Sequence, residues 1–307
     1  MSTTTMQRSA DVPPNVSAVP GPRRARRTRR RDHEQKYVLV GLILFAIYSV
    51  APVWWLVVNV TKDRRDLYST NGLWFGHWNL GANFRQLADY DDGIFFRWLA
   101  NSVFYAVVGA AVCTLISVMC GYALSRFSFR GRNLGLGIVI GSFLVPTALI
   151  TVPLYLLFSR LGLVDTVWAV LIPSFVSPFG VYLAKVYVDA SVPEELLEAA
   201  RLDGASELRI FTQIVVRLMP TGAATVFVLL FVSNWNSFFL PLTMLRGSER
   251  WTLALGLYNW FTQKNDQIAD HTTLTLMGAL ISIIPLAVVM IAMQRYWRTG
   301  VAVGALK

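Results

Sequence analysis

Six stretches of the chain carry no Asp, Glu, Lys or Arg over lengths that match a bilayer: 37–61, 98–125, 133–159, 166–184, 218–245 and 271–294. A hydrocarbon core about 30 Å thick needs roughly 20 helical residues, and only the fourth stretch, at 19, lies near the lower limit. Lipid offers bare backbone no hydrogen-bonding partner, so each run is predicted to be a helix. The pattern predicts an all-α polytopic membrane protein with six transmembrane helices, the fourth extending to about residue 188. Pro146 and Pro153 in the third span, Pro173 and Pro178 in the fourth, Pro241 near the end of the fifth and Pro285 in the sixth are expected to bend their helices.

Between the fourth and fifth spans the pattern changes. Residues 189–219 form a polar island. Ser191 followed by Glu194 fits a capping box, with Pro193 in the first turn and Glu194 and Glu195 near the positive helix end. The predicted helix runs through Leu196–Asp203 and stops at Gly204, a residue suited to a left-handed C-terminal position. A second amphipathic helix is expected from about Ser206, with Leu208, Phe211, Val215 and Leu218 on one face. Ala199 and Ala200 offer a small surface for close packing, and Glu198 offers a carboxylate to a basic group. The pattern suits a surface gripped by a soluble partner and equally a helix lying on the bilayer.

Composition supports the membrane assignment: 54% of residues are hydrophobic and 15% charged, against about a quarter charged in soluble domains. The basic residues suggest an orientation. With the N-terminus, the second and fourth connections and the C-terminal tail on one side, 19 Lys and Arg fall there and nine on the other. The positive-inside bias then puts both termini in the cytoplasm. Residues 1–35 read as a disordered basic tail, rich in Pro, Ser and Thr, whose cluster from Arg23 to Arg31 serves as a topology determinant. Such a cluster also suits acidic headgroups or nucleic acid. A cleaved export signal fits less well, because the apolar stretch that follows is long and aromatic. Residues 295–307 read as a short cytoplasmic tail. The connection from Lys62 to Arg97 mixes five basic and five acidic residues with Phe75, Phe84, Trp74 and Trp78, which suits either an aromatic anchor at the interface or a transient protein contact.

Candidate chemistry is sparse. Cys113 and Cys120 are about 10 Å apart along a helix, too far for a disulfide. His33, His77 and His271 are scattered, no Gly-x-x-x-x-Gly-Lys phosphate loop occurs, and no cofactor or metal is expected. Carriers that run on protons bury charge within their spans, whereas these spans hold only neutral polar groups. The densest run is Ser233-Asn234-Trp235-Asn236-Ser237 in the fifth span. Amides beside an aromatic ring match a sugar's hydroxyls and its apolar face, so Asn234, Trp235, Asn236 and Ser237 are a candidate substrate path; helix–helix glue is the other use of such groups. A stand-alone carrier or channel would need coupling groups or a selectivity filter, and a membrane enzyme a cluster of acids, histidines or nucleophiles.

The run Glu198-Ala199-Ala200-x-x-Asp203-Gly204-Ala205, with Ile214 ten residues past the glycine, resembles the signature loop of binding-protein-dependent ABC transporter permeases. Gly121-Tyr122-Ala123-Leu124-Ser125-Arg126-Phe127, Pro153-Leu154-Tyr155, Leu161-Gly162-Leu163, Trp235-Asn236 and Pro241-Leu242 are similar to the sugar-type members of the maltose and glycerol-phosphate class. The resemblance covers about residues 36–307. Where such permeases usually carry a proline thirteen residues after the glycine, this chain has Arg217, and Pro220 follows. The resemblance implies a type I importer fold, a heterodimer with a second permease, two ATP-binding subunits that carry out the hydrolysis, and an extracytoplasmic solute-binding protein that delivers a sugar. It further implies that Glu198, Ala199, Ala200, Leu202, Asp203, Gly204 and Ala205 couple the membrane part to the ATPases, with membrane lipid around the spans and no nucleic acid partner.

Overall fold

The computed structural model describes residues 25–263 and 271–304, with side chains placed for 36–263 and 271–296. It is helical throughout: α1 (Ala25–Val60), α2 (Arg64–Ser69), α3 (Leu80–Asp89), α4 (Ile94–Arg126), α5 (Arg132–Gly141), α6 (Thr147–Arg160), α7 (Trp168–Ser174), α8 (Pro178–Ser191), α9 (Glu194–Leu202), α10 (Glu207–Ile210), α11 (Val216–Leu218), α12 (Pro220–Trp235), α13 (Phe239–Met244), α14 (Leu253–Thr262) and α15 (His271–Gly304). Residues up to Trp54 form one unit and those from Trp55 a second.

The first unit ends in the greater part of α1. That helix starts at Ala25, so residues 25–35, expected to be disordered, are helical. Arginine is a good helix former and propagation from an existing helix adds one hydrogen bond per residue fixed, which extends α1 into the basic segment. Residues 1–24 of the expected tail lie outside the described residues.

In the second unit α4 is the central helix, packed along its length between α8 and α12, with α15 against α12 and α14. Small residues make this possible. At Gly121 a Cβ would lie 2.7 Å from the Lys185 backbone nitrogen and 2.9 Å from the Ala184 carbonyl carbon, so α4 and α8 touch backbone to backbone, the contact that drives association where lipid removes the hydrophobic effect. Ala106, Ala110 and Cys113 of α4, Ala184 and Val188 of α8, and Val226 and Phe231 of α12 are fully buried in this core.

Among the described residues, four helices are long and apolar enough to cross a membrane, and two bent pairs bring the number of possible crossings to six. The third expected span is not one rod. α5 and α6 meet at 102°, because Pro146 has no N–H for the Ser142 carbonyl and forces Val145 into an extended conformation (φ −86°, ψ 114°). The fifth, expected to run 218–245, is interrupted at Asn236–Phe238. Pro241 again cannot donate, here to the Ser237 carbonyl. The fourth breaks after Ser174, and Ser177 restarts it as N-cap, its hydroxyl accepting from the Gly180 N–H at 3.1 Å with Pro178 at the first helical position. Pro153 and Pro285 sit inside unbroken helices. The expected tail from 295 is a continuation of α15 through Gly304, and 305–307 lie outside the described residues.

Asp165, at φ 60°, fixes the connection from Arg246 to Arg250. Its carboxylate accepts from the Arg246 N–H (3.0 Å), the Gly247 N–H (3.1 Å) and the Arg250 guanidinium (3.1 Å). The Gly247 amide, then the Arg246 amide and the two guanidinium groups, hold its carboxyl below the usual value of 3.8. A carboxyl lowered in this way contributes its stability above pH 3.8 and loses it as the pH falls through the folded value. Asp165→Ala should therefore make the 246–250 connection more sensitive to limited proteolysis at neutral pH, and the difference from wild type should vanish in strong acid.

Candidate functional site

The polar island forms a helical corner. α9 begins at Glu194 with Pro193 as N-cap in an extended conformation and no side-chain cap. The expected capping box does not form, because Ser191 is the last residue of α8 and its hydroxyl belongs to the preceding helix. Glu194 and Glu195 do occupy the first turn, where the helix dipole favours them. At the other end Gly204 takes φ 77°, the Gly204 N–H donates to the Arg201 carbonyl (3.0 Å) and the Ala205 N–H to the Ala200 carbonyl (3.0 Å). This is a Schellman stop, with Ala200 and Ala205 packed inward beneath it. A Cβ on Gly204 would meet nothing within 4 Å, so its substitution is costly only through the backbone. Gly204→Val should lower the melting temperature of the purified protein, by an amount corresponding to about 1–2 kcal/mol, while Gly204→Asn should cost much less.

After the corner, α10 continues through a π-turn at Phe211–Val215 into α11. The wider turn alters the expected face. Ile210, Phe211, Val215 and Met219 are buried, whereas Leu208 and Leu218 are exposed. The chain then bends by 83° into α12 at Met219, with Pro220 at the first helical position. The proline missing at 217 thus has its counterpart three residues later, where it opens α12.

Of the seven residues expected to couple, five share the outer face: Glu198, Ala199, Leu202, Asp203 and Gly204 are exposed. Leu202 is 89% exposed, an apolar tip on a polar corner. Ala200 and Ala205 are half-buried against the core and shape the corner from beneath. Leu197, on the opposite face of α9, is fully buried.

A polar brace joins this corner to the end of α4. The Tyr122 hydroxyl donates to one oxygen of Glu207 (2.9 Å) and Arg201 donates to the other (2.7 Å), while the Arg201 guanidinium also lies 6.0 Å from the centre of the Phe127 ring. Ser125 donates to Asp189, whose other oxygen pairs with Lys185 (2.6 Å). The Arg126 guanidinium donates to the carbonyls of Val188 (3.2 Å) and Val192, closing the end of α8. Sequence reasoning noted Gly121–Phe127 as a motif without assigning these contacts. Its adjacency to the loop is a long-range fact, with Tyr122 and Glu207 85 residues apart.

The substrate-path residues lie where α12 breaks. The Asn234 Nδ2 atom is buried without a hydrogen-bond partner. A Cβ on Gly109 of α4 would lie 2.7 Å from it and 2.6 Å from the Ser174 hydroxyl of α7. The interruptions after Ser174 and after Trp235 thus meet at one level of α4. Trp235 is buried and stacked on Phe231 (5.9 Å, 18°). Asn236 is exposed and donates to the Val232 carbonyl (2.8 Å), and Ser237 is half-buried. The four residues therefore do not share one surface.

Residues 113–299 match the model of the binding-protein-dependent transport system inner membrane component family. The chain belongs to that family. It is a multi-pass membrane permease subunit of an ABC importer, without a catalytic site of its own, and not a stand-alone carrier or channel. The arabinooligosaccharides transport system permease protein AraQ of Halalkalibacterium halodurans is 34% identical over 215 residues, 70% of this chain and 75% of that one. The galactooligosaccharides transport system permease protein GanQ of Bacillus subtilis is 33% identical over 272 residues, 87% and 93% of the two chains. A chain in the crystal structure of a bacterial ABC transporter involved in the import of the acidic polysaccharide alginate superposes with a TM-score of 0.76 at 26% identity, covering 90% of this permease and 99% of that chain.

Proposed function

We propose that this permease imports a sugar or related polyol as one half of a transmembrane heterodimer, driven through its α9 corner by two ATP-binding subunits. An extracytoplasmic solute-binding protein delivers the cargo, and both termini lie in the cytoplasm. The observation that carries the coupling role is the exposed Leu202 on a braced corner. A force applied at Glu198, Ala199, Leu202, Asp203 and Gly204 reaches α4 through Arg201, Glu207 and Tyr122, and α8 through Arg126, Ser125 and Asp189, so α9, α4 and α8 move together. Ala200 and Ala205 act from beneath by holding the corner's shape. The sugar cargo is supported by relatives whose names specify arabinooligosaccharides and galactooligosaccharides. Discontinuous helices with unpaired polar groups line solute sites in many transporters, and Asn234 at the break of α12 fits that use; Trp235 packs on Phe231 beside it, and Asn236 and Ser237 follow at the break.

The test is ATP-dependent uptake across a sugar panel by the complex reconstituted with its binding protein. Asn234→Ala should change the rate or the sugar preference several-fold with binding-protein affinity unchanged. No ATP-dependent uptake of any sugar would overturn the cargo, and an unaltered Asn234→Ala profile would remove Asn234 from the path.

A further inference from the structure

The connection after α1 does not run out into solvent. It folds back beside the helix it has just left. The Asn59 amide donates both to the Trp55 carbonyl (2.7 Å) and to the Gly72 carbonyl (2.8 Å), and a Cβ on Gly72 would lie 3.2 Å from the Trp55 indole nitrogen. Trp55 is five residues before the end of α1, about 7–8 Å of rise. Gly72 is therefore held beside the last turns of α1, and Leu73, Trp74 and Phe75 follow it in the chain.

The excursion is pinned from within. Buried Lys62 donates to the Asn71 carbonyl (2.7 Å), and the buried Asp66 carboxylate accepts from the His77 N–H (2.7 Å) and the His77 ring (3.0 Å). The Asn83 amide closes the inner side on the carbonyls of Val60 (2.7 Å) and Lys62 (2.8 Å). What this latch presents outward is aromatic. Trp74 and Trp78 are 67% and 70% exposed, with Phe75 6.2 Å from each ring, and Tyr68 and Leu73 of the same connection are also exposed. Arg64 and Arg65, at the start of the same connection, are exposed.

We propose that residues 64–78 are a lipid anchor, seated in the headgroup and upper acyl layer of the leaflet at which α1 ends. Three observations favour lipid over a protein as the occupant: Gly72 is held against the last turns of α1, the exposed side chains are mainly aromatic, and the exposed Arg64 and Arg65 complement the charge of lipid phosphates. Trp and Tyr prefer this layer because an apolar ring and a polar N–H or O–H are both satisfied there. The anchor fixes the height of the end of α1 and of α3 in the bilayer.

The experiment uses the full-length permease in its assembled complex, in bilayers whose lipids carry bromine either just below the headgroup or at the acyl terminus. Both rings are mostly exposed, so Trp74→Phe/Trp78→Phe should melt as wild type does. The double variant should lose the shallow-bromine quenching contributed by two of the ten tryptophans, with deep-bromine quenching unchanged. Equal shallow quenching of wild type and variant would overturn the anchor. So would emission from these two residues that ignores bromine but shifts when a solute-binding protein is added, because that outcome places a protein on the surface. As a second arm, Gly76→Val keeps both tryptophans but drives a side chain into Asp66, which a Cβ at 76 would already approach at 2.5 Å. Shallow quenching should fall here too, and its persistence would show that the latch does not set the depth.

Discussion

Leu202→Asp is expected to abolish ATP-driven uptake while leaving the permease as stable as wild type. The side chain is 89% exposed, and Leu197, fully buried on the other face of α9, carries the helix's attachment to the core. A charge at position 202 therefore disturbs no internal contact. Against a partner it would be severe, because burying a carboxylate without a counter-charge costs several kcal/mol, enough to reduce occupancy of the interface by orders of magnitude. Uptake by the reconstituted complex and co-purification of the ATP-binding subunits read the two halves of the expectation. Normal uptake by a Leu202→Asp permease would show that the corner is not where force enters. Loss of uptake with a lowered melting temperature would show instead that Leu202 supports the fold.

Gly121→Ala should act in the opposite way, as a structural lesion within the contact of α4 and α8. The added methyl would sit 2.7 Å from the Lys185 nitrogen and 3.0 Å from the Ala184 Cβ. Two of its neighbours are backbone atoms, which cannot rotate aside. Overpacking of this kind costs about 1–3 kcal/mol, and it separates α4 from α8 at the level where Ser125 and Asp189 join them. The melting temperature should fall, and uptake should fall with it. A variant with wild-type melting would contradict the backbone contact of the two helices.

The uncharged runs made the membrane class and the apolar helices legible, because lipid leaves so few backbone options. The corner at Gly204 was equally legible, since a left-handed stop almost requires glycine and its hydrogen bonds are local. What the pattern could not reveal was non-local or depended on one residue of register. A π-turn at 211–215 moved Leu208 and Leu218 off the buried face, although both fit an ideal 3.6-residue repeat with Phe211 and Val215. Prolines were visible, but whether each would break its helix was not: Pro146 does and Pro285 does not. The brace of Tyr122, Arg201 and Glu207 depends on the packing of α4 against the loop, which no local pattern encodes. Exposure also divided a motif that reads as continuous, turning Ala200 and Ala205 inward and Leu202 outward.

The shortness of α12 bears on how the protein is made. Sixteen residues give about 24 Å of helix, less than the roughly 30 Å of hydrocarbon to be crossed. The interruption at Asn236–Phe238 therefore falls inside the lipid depth, where exposed peptide groups are not tolerated. Its shelter comes from other parts of the chain: Gly109 of α4 and Ser174 of α7 lie against Asn234, and Tyr258 of α14 stacks edge-on to Phe238 at 4.8 Å. α4 and α7 precede this segment in synthesis, but α14 follows it. The segment is thus a poor solitary insert, and part of what packs against its break, Tyr258 of α14, is made after it.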